Sequence, residues 1–243
     1  MHNKLKAFTI LEMSIVLVII GLILGSIYGA ADLINQSKLK AVIKEIYKYR
    51  VALNNFKSQY NALPGDFNAA TTIWPSAGTA NGNGNNAVEG GANSNTPLED
   101  TYVYQHLYLG GMLAEFYVGG LQSGTRKIIG KNLPVSVYSA GTYDVYTEGV
   151  YGISATFLEF GSFNGAFNQY ANGPILNAID AFYIDKKIDD GIAYKGNVFS
   201  IRSSSNLSNN TCVTNVYYST PSNYILSDKS VTCRMMILFT NNN

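Results

Sequence analysis

A chain of 243 residues, 47% hydrophobic and only 14% charged, is long enough for one medium domain plus an extended segment. The low charge, with 23 Gly and 18 Tyr against 6 Pro, excludes a charged disordered tail and a coiled-coil rod. A net charge of +1 gives no global attraction for nucleic acid or an anionic surface, so any electrostatic function must come from how the charge is distributed.

The first seven residues carry Lys4 and Lys6, and from Phe8 to Ala31 the chain is almost wholly apolar, with Glu12 as its single charged side chain. As a helix that stretch reaches about 36 Å, enough to cross a bilayer with some tilt. A cleaved secretory signal has an apolar part of only ~7 to 15 residues that ends at a small-x-small site. Here the apolar run passes through Asp32 into a helical pattern without a break, so an anchor fits better. A carboxylate such as Glu12 costs ~2.5 to 3.5 kcal/mol at mid-bilayer and survives there with a function or a partner. Cutting after Ala7 supplies a partner. The freed amine of Phe8, positive below a pKa of ~7.7, can pair on one chain with Glu12 of another inside an apolar filament core.

Lys4, Lys6, Ala7-Phe8-Thr9-Ile10-Leu11-Glu12 and the apolar run to Gly21 resemble the prepilin leader of type IV pilins and type II secretion pseudopilins. The resemblance implies that a prepilin peptidase cuts between Ala7 and Phe8 on the cytoplasmic side and methylates the Phe8 amine. It also implies that Glu12 is an assembly contact, and that the partners are other pilin or pseudopilin subunits and an inner-membrane assembly platform. Before assembly the chain would cross the inner membrane once with a periplasmic head; afterwards it would sit in an extracellular or periplasmic filament. Ala7 replaces the usual Gly before the cut, and Gly29 stands where many pilins have a kinking Pro, leaving a flexible point.

Beyond the membrane segment, Leu39, Val42, Ile43, Ile46, Tyr49, Leu53, Phe56 and Tyr60 repeat at three- to four-residue spacing, one face of an amphipathic helix. No Pro interrupts it before Leu63-Pro64-Gly65-Asp66, a stop and turn signal. A single helix from about Phe8 to Asn61 would be ~80 Å long. Between Asp32 and Tyr60 the net charge is +4, and from Asn61 onward it is −4. The basic side chains read either as a solvated helix face or as a surface that meets acidic heads of neighbouring subunits.

The stretch 78–97, which includes Asn81-Gly82-Asn83-Gly84-Asn85-Asn86, predicts an exposed, flexible loop. With Glu89 as its only acid it is a poor calcium loop. Glu99 to Leu109 predicts a short helix ending at Gly110-Gly111, and Leu133 to Phe163 predicts two to four antiparallel strands. A second helix is expected from Pro174 to Lys187, with strands at Asn197 to Arg202 and Val231 to Phe239. Cys212 and Cys233, a sparse even pair, read as one disulfide in an oxidising compartment, with about 3 kcal/mol of stabilisation on the chain-entropy model. Phe56 to Trp74, with Tyr60-Asn61-Ala62-Leu63-Pro64-Gly65-Asp66, and Ala178 to Gly191 also resemble a subgroup of prepilin-type proteins, which carries the likeness into the head.

The densest acidic group is Asp180, Asp185, Asp189 and Asp190. Asp185, Asp189 and Asp190 offer oxygen ligands for calcium, against the alternative of a helix C-terminus with Lys186 and Lys187 in its last turn and a turn at Asp190-Gly191. His106, on a Tyr- and Leu-rich helix, reads as a packed or hydrogen-bonded side chain rather than a catalyst. No sequence signature of a hydrolase triad, a phosphate loop or a zinc protease occurs, so no enzyme and no cofactor is expected. Tyrosine stacking on single-stranded DNA is disfavoured by the acidic head. The expected fold is α+β: a leader at 1–7, a membrane or filament-core helix at 8–31, an amphipathic continuation at 32–61, and a pilin-like head at 62–243 built on a small antiparallel sheet. The expected function is a structural filament subunit. The alternative is a single-pass anchored periplasmic binding protein or enzyme that uses the helix as a tether.

Overall fold

The computed structural model describes residues 9–90, 98–120, 127–138, 140–150, 153–163, 171–202, 212–215 and 221–241. One helix, α1 (Ile10–Tyr60), runs for 51 residues, about 77 Å at the helical rise. Thr9 caps its start, and Asn61 ends it in the left-handed conformation (φ 51°). The backbone stays helical through Gly29, where a flexible point was expected. In the second half Leu39, Val42, Ile46, Tyr49, Leu53 and Phe56 are buried, while Ile43 and Tyr60 pack at the margin of the core. The three- to four-residue spacing therefore marks the face that meets the head.

The head follows the expected order with shifted boundaries. A short helix, α2 (Ala70–Ile73), has no counterpart in the sequence reading; with four residues it is too short to leave a periodic signal. It delivers Trp74 to an aromatic group with Phe56, Tyr60, Phe67 and His106. A 3-10 turn at Glu99–Thr101 leads into α3 (Val103–Leu109), which stops at Gly110 and Gly111. The run from Leu133 to Phe163 contains two strands, β1 (Thr142–Val150) and β2 (Ile153–Gly161). The next helix, α4 (Ala178–Ile188), starts four residues later than expected. Asn177 is its cap, and Ile175 and Leu176 are instead drawn into backbone hydrogen bonds with the carbonyl of Cys233. Strands β3 (Val198–Arg202) and β4 (Cys233–Asn241) complete an antiparallel sheet in the order β1-β2-β4-β3. Cys212 and Cys233 form a disulfide that ties the start of β4 to the preceding segment.

Register places Tyr143 opposite Phe160, Val145 opposite Leu158, and these beside Met235 and Ile237. This sheet face packs on α1: the Tyr143 ring lies 4.9 Å from that of Tyr49, and its hydroxyl donates to Glu45 at 2.8 Å. Alternation sends Asp144 and Glu159, directly opposed across β1 and β2, to the other face, where both are fully buried. Arg234 forms an ion pair with Glu159, and Lys127 with Asp144. The architecture is thus α+β, a long N-terminal apolar helix on a four-stranded antiparallel sheet, and it is pilin-like.

The described part of the expected loop has no helix or strand between 78 and 90 and is tied to the head at particular points. Residues 81–86 are mostly exposed, but hydrogen bonds fix them to the head. The Asp66 carboxylate accepts N–H bonds from Gly84 at 2.6 Å, Asn85 at 3.0 Å and Asn86 at 2.8 Å. Glu99 accepts from Asn83 at 2.8 Å and Glu89 at 3.0 Å. Val88 is buried and exchanges hydrogen bonds with Thr147 of β1. At Gly82 a Cβ would lie 2.3 Å from the backbone of Asp66, so only glycine permits this approach. Residues 91–97 of the predicted loop lie outside the described residues.

Candidate functional site

The candidate site is the half of α1 that the head leaves uncovered. Every residue from 10 to 27 is exposed, and so are Leu33 and Ile34. The most apolar 18-residue stretch of α1 has none of its length buried in the protein, and it is long enough to cross a membrane once. An apolar surface running all round a helix needs a lipid or protein environment, because in water it would expose far more contiguous apolar area than a soluble monomer carries. A helix of this kind is suited both to anchoring and to mediating assembly.

Glu12 sits in the first turn. Its Oε2 accepts from the Thr9 N–H at 2.8 Å and the Thr9 hydroxyl at 3.0 Å, while the Glu12 N–H donates to Thr9 Oγ1 at 3.2 Å. This is a reciprocal capping box that satisfies two orphan donors of the helix start. Within one chain, Glu12 therefore has a local partner that sequence reasoning did not assign to it, although Thr9 three residues before Glu12 is its sequence signature. Ala7 and Phe8, the expected cleavage and methylation positions, lie outside the described residues.

The basic half of α1 presents Lys38, Lys40, Lys44 and Lys48 to solvent, with Lys48 paired to Glu115 at 2.5 Å across an exposed surface. Asn35 and Lys38 also border a cleft of about 530 Å³ where α1 leaves the head, together with Tyr138, Ser162 and Ile175. Among its described lining residues, Lys38 is the only charged one.

The other positions singled out from sequence have local duties. His106 is fully buried: Nδ1 accepts the Gly65 N–H at 2.9 Å, which leaves Nε2 as the protonated nitrogen facing the Ala80 carbonyl at 3.2 Å and Thr79 Oγ1 at 3.0 Å. Burial pushes its pKa down to about 4. The unfolded chain binds a proton on this histidine below about 6.5 and the folded one does not, so stability is lost as pH falls from 6.5 toward 4, by at most about 3 kcal/mol. Thermal melts of the detergent-solubilised chain at pH 7 and pH 4.5 should show this acid destabilisation shrink in His106→Asn.

Asp185, Asp189 and Asp190 do come together, their nearest ligand atoms all within 4.8 Å of one another. Each already serves as an acceptor. Asp185 takes the Tyr224 hydroxyl at 2.6 Å and burial pushes its pKa up to about 6. Asp189 takes the N–H groups of Asn197 and Val198, and Asp190 takes that of Ile192 at 2.8 Å and pairs with Lys195 at 3.2 Å. Lys186 and Lys187 occupy the last turn of α4, which is the helix-end arrangement expected as the alternative to calcium. Asp180 stands apart in the first turn, held by Asn35, Tyr138 and Asn177.

The sequence reading missed the buried charges behind the sheet. Their signal was present: Asp144 lies between Tyr143 and Val145, and Glu159 between Leu158 and Phe160, in strands that bury both faces. Comparison with protein-family models, with curated proteins and with solved structures finds no match for this chain.

Proposed function

We propose that this chain is a structural subunit, a pilin or pseudopilin, of a type IV pilus or type II secretion filament, and not an enzyme. The observation that carries the reading is the division of one continuous helix. Residues 10–27 are exposed and apolar on all sides, while the face from Leu39 to Phe56 is buried against the head. In a filament the exposed halves bundle into an apolar core and the heads tile the outside. The disulfide Cys212–Cys233 agrees with a head folded in an oxidising compartment.

In this reading the chain crosses the inner membrane once, with its head in the periplasm, until the assembly platform moves it into the filament. A prepilin peptidase removes residues 1–7 and methylates Phe8. Its other partners are copies of itself or related subunits. In a tether Glu12 serves only to cap the helix start with Thr9, whereas in a filament subunit it also meets the newly cut N-terminus of a neighbour. The mature protein is expected to begin at Phe8 with a methylated amine. Intact mass measurement on protein from its native host checks this, and a chain that keeps Met1, or one cut after Ala31, refutes it.

A further inference from the structure

Behind the sheet, three side chains form a group that the filament reading does not use. Asp100 and Asp144 are wholly buried and Lys127 is nearly so, with its side chain 2% exposed. The Lys127 ammonium donates to both oxygens of Asp144, at 2.8 and 3.1 Å. It lies closer to Asp100, 2.5 Å from Oδ2, the shorter of its contacts with the two carboxylates. A nitrogen at that distance from a carboxyl oxygen is necessarily within about 3.8 Å of the carboxyl carbon. Reacting atoms in near-attack geometries sit about 3 to 3.5 Å apart.

The surroundings exclude water. Gly90 lies so close over the Asp100 carboxylate that a Cβ there would overlap it, at 1.8 Å. Tyr104 and Tyr146, both fully enclosed, lie within electrostatic reach of Asp144. One cation between two anions leaves an uncompensated buried negative charge, an arrangement that is costly in an apolar site.

We propose that Lys127 and Asp100 condense spontaneously into an intramolecular isopeptide bond, with Asp144 as the proton carrier. Asp144 takes a proton from the Lys127 ammonium through its aligned hydrogen bonds and passes it to the Asp100 carboxylate, and the neutral Nζ then attacks Cγ of the neutral carboxyl. The Nζ–Cγ bond forms and one Cγ–O bond of Asp100 breaks. The two protons lost by nitrogen end on the departing oxygen, which leaves as water, and Asp144 returns to its carboxylate form. The net charge of the group is −1 before and after, but two buried charges have become one amide. Burial already pushes the Asp100 carboxyl up to about 6, toward the neutral form the attack requires. The product fastens the segment before α3 to the segment before β1, a covalent brace in a head that would carry load along a filament.

The test is peptide mapping of the reduced, full-length protein with trypsin and a glutamate-specific protease. The expected product is a branched peptide joining Asp100–Glu115 to Lys127–Lys131, 18 Da lighter than the sum of the two. Lys127→Arg should abolish it. Asp144→Asn should instead yield linear Asp100–Glu115 and, because trypsin then also cuts after Lys127, Ile128–Lys131, in protein whose circular dichroism and disulfide remain those of the parent. Separate peptides from the folded parent overturn the proposal, as does an 18 Da loss confined to a linear peptide, which is a cyclic imide. Branching in Asp144→Asn at the parent's yield overturns the role given to Asp144.

Discussion

Glu12→Ala is expected to leave the chain in the membrane with its head folded while filaments fail to form. Removing a charge from an apolar helix costs insertion nothing. The head contains none of the residues around Glu12, since the helix is exposed from 10 to 27. In the assembled state a Phe8 amine of a neighbour would be left unpaired in an apolar core, and breaking one side of a buried pair costs ~3 to 5 kcal/mol. The capping box adds a second, smaller role, worth about 1 kcal/mol to the helix start. Glu12→Gln separates the two, because a glutamine at the third helical position still reaches back to the Thr9 N–H but carries no charge. If Glu12 acts through pairing between subunits, Gln should be as defective as Ala. The readout is the yield of sheared filaments against monomer in the membrane fraction. Wild-type yield from Glu12→Gln with loss in Glu12→Ala would assign Glu12 to the cap alone, and wild-type yield from both would return the helix to the role of a tether.

Periodicity made α1 legible almost to the residue. Its buried face from Leu39 to Phe56 needs only a repeat of three or four, and its end needs only Asn61 and the turn at Pro64-Gly65. The strands were legible as a region because β-branched and aromatic residues crowd between glycines, but the start of α4 was not. Pro174 looked like a first helical residue, whereas the bonds that Ile175 and Leu176 make to Cys233 are long-range and leave no local trace. The same reason hid the partners of the buried charges: Asp144 announces that something must neutralise it, but only the fold brings Lys127 there. Composition said least about what holds the Asn-Gly stretch. Low complexity signals that a segment cannot build a core of its own, and it is silent about carboxylates elsewhere that can organise its backbone.

Those carboxylates yield the second large expectation, for Asp66→Ala. Asp66 is 2% exposed and accepts three successive backbone N–H groups, those of Gly84, Asn85 and Asn86. Hydrogen bonds to a charged acceptor are each worth about 1.5 to 3 kcal/mol, less where water can replace the acceptor, as it can for these exposed loop residues. The summed loss is therefore about 3 kcal/mol, which lowers the melting temperature by roughly 6 to 12 °C in a chain of this size. Glu99 still holds Asn83 and Glu89, and Gly82 and Gly84 still donate to the carbonyls of Phe67 and Asp66, so the loosening should centre on residues 84–87. Protease sensitivity should appear within 81–90 before the rest of the head is cut. Asp66→Asn keeps one acceptor oxygen but turns an amide donor toward the N–H groups, so it should recover only part of the loss. Thermal melts and limited proteolysis of the detergent-solubilised chain measure both effects. A melting temperature unchanged in Asp66→Ala, with 81–90 no more susceptible than in the parent, would show that the loop holds its shape without this carboxylate.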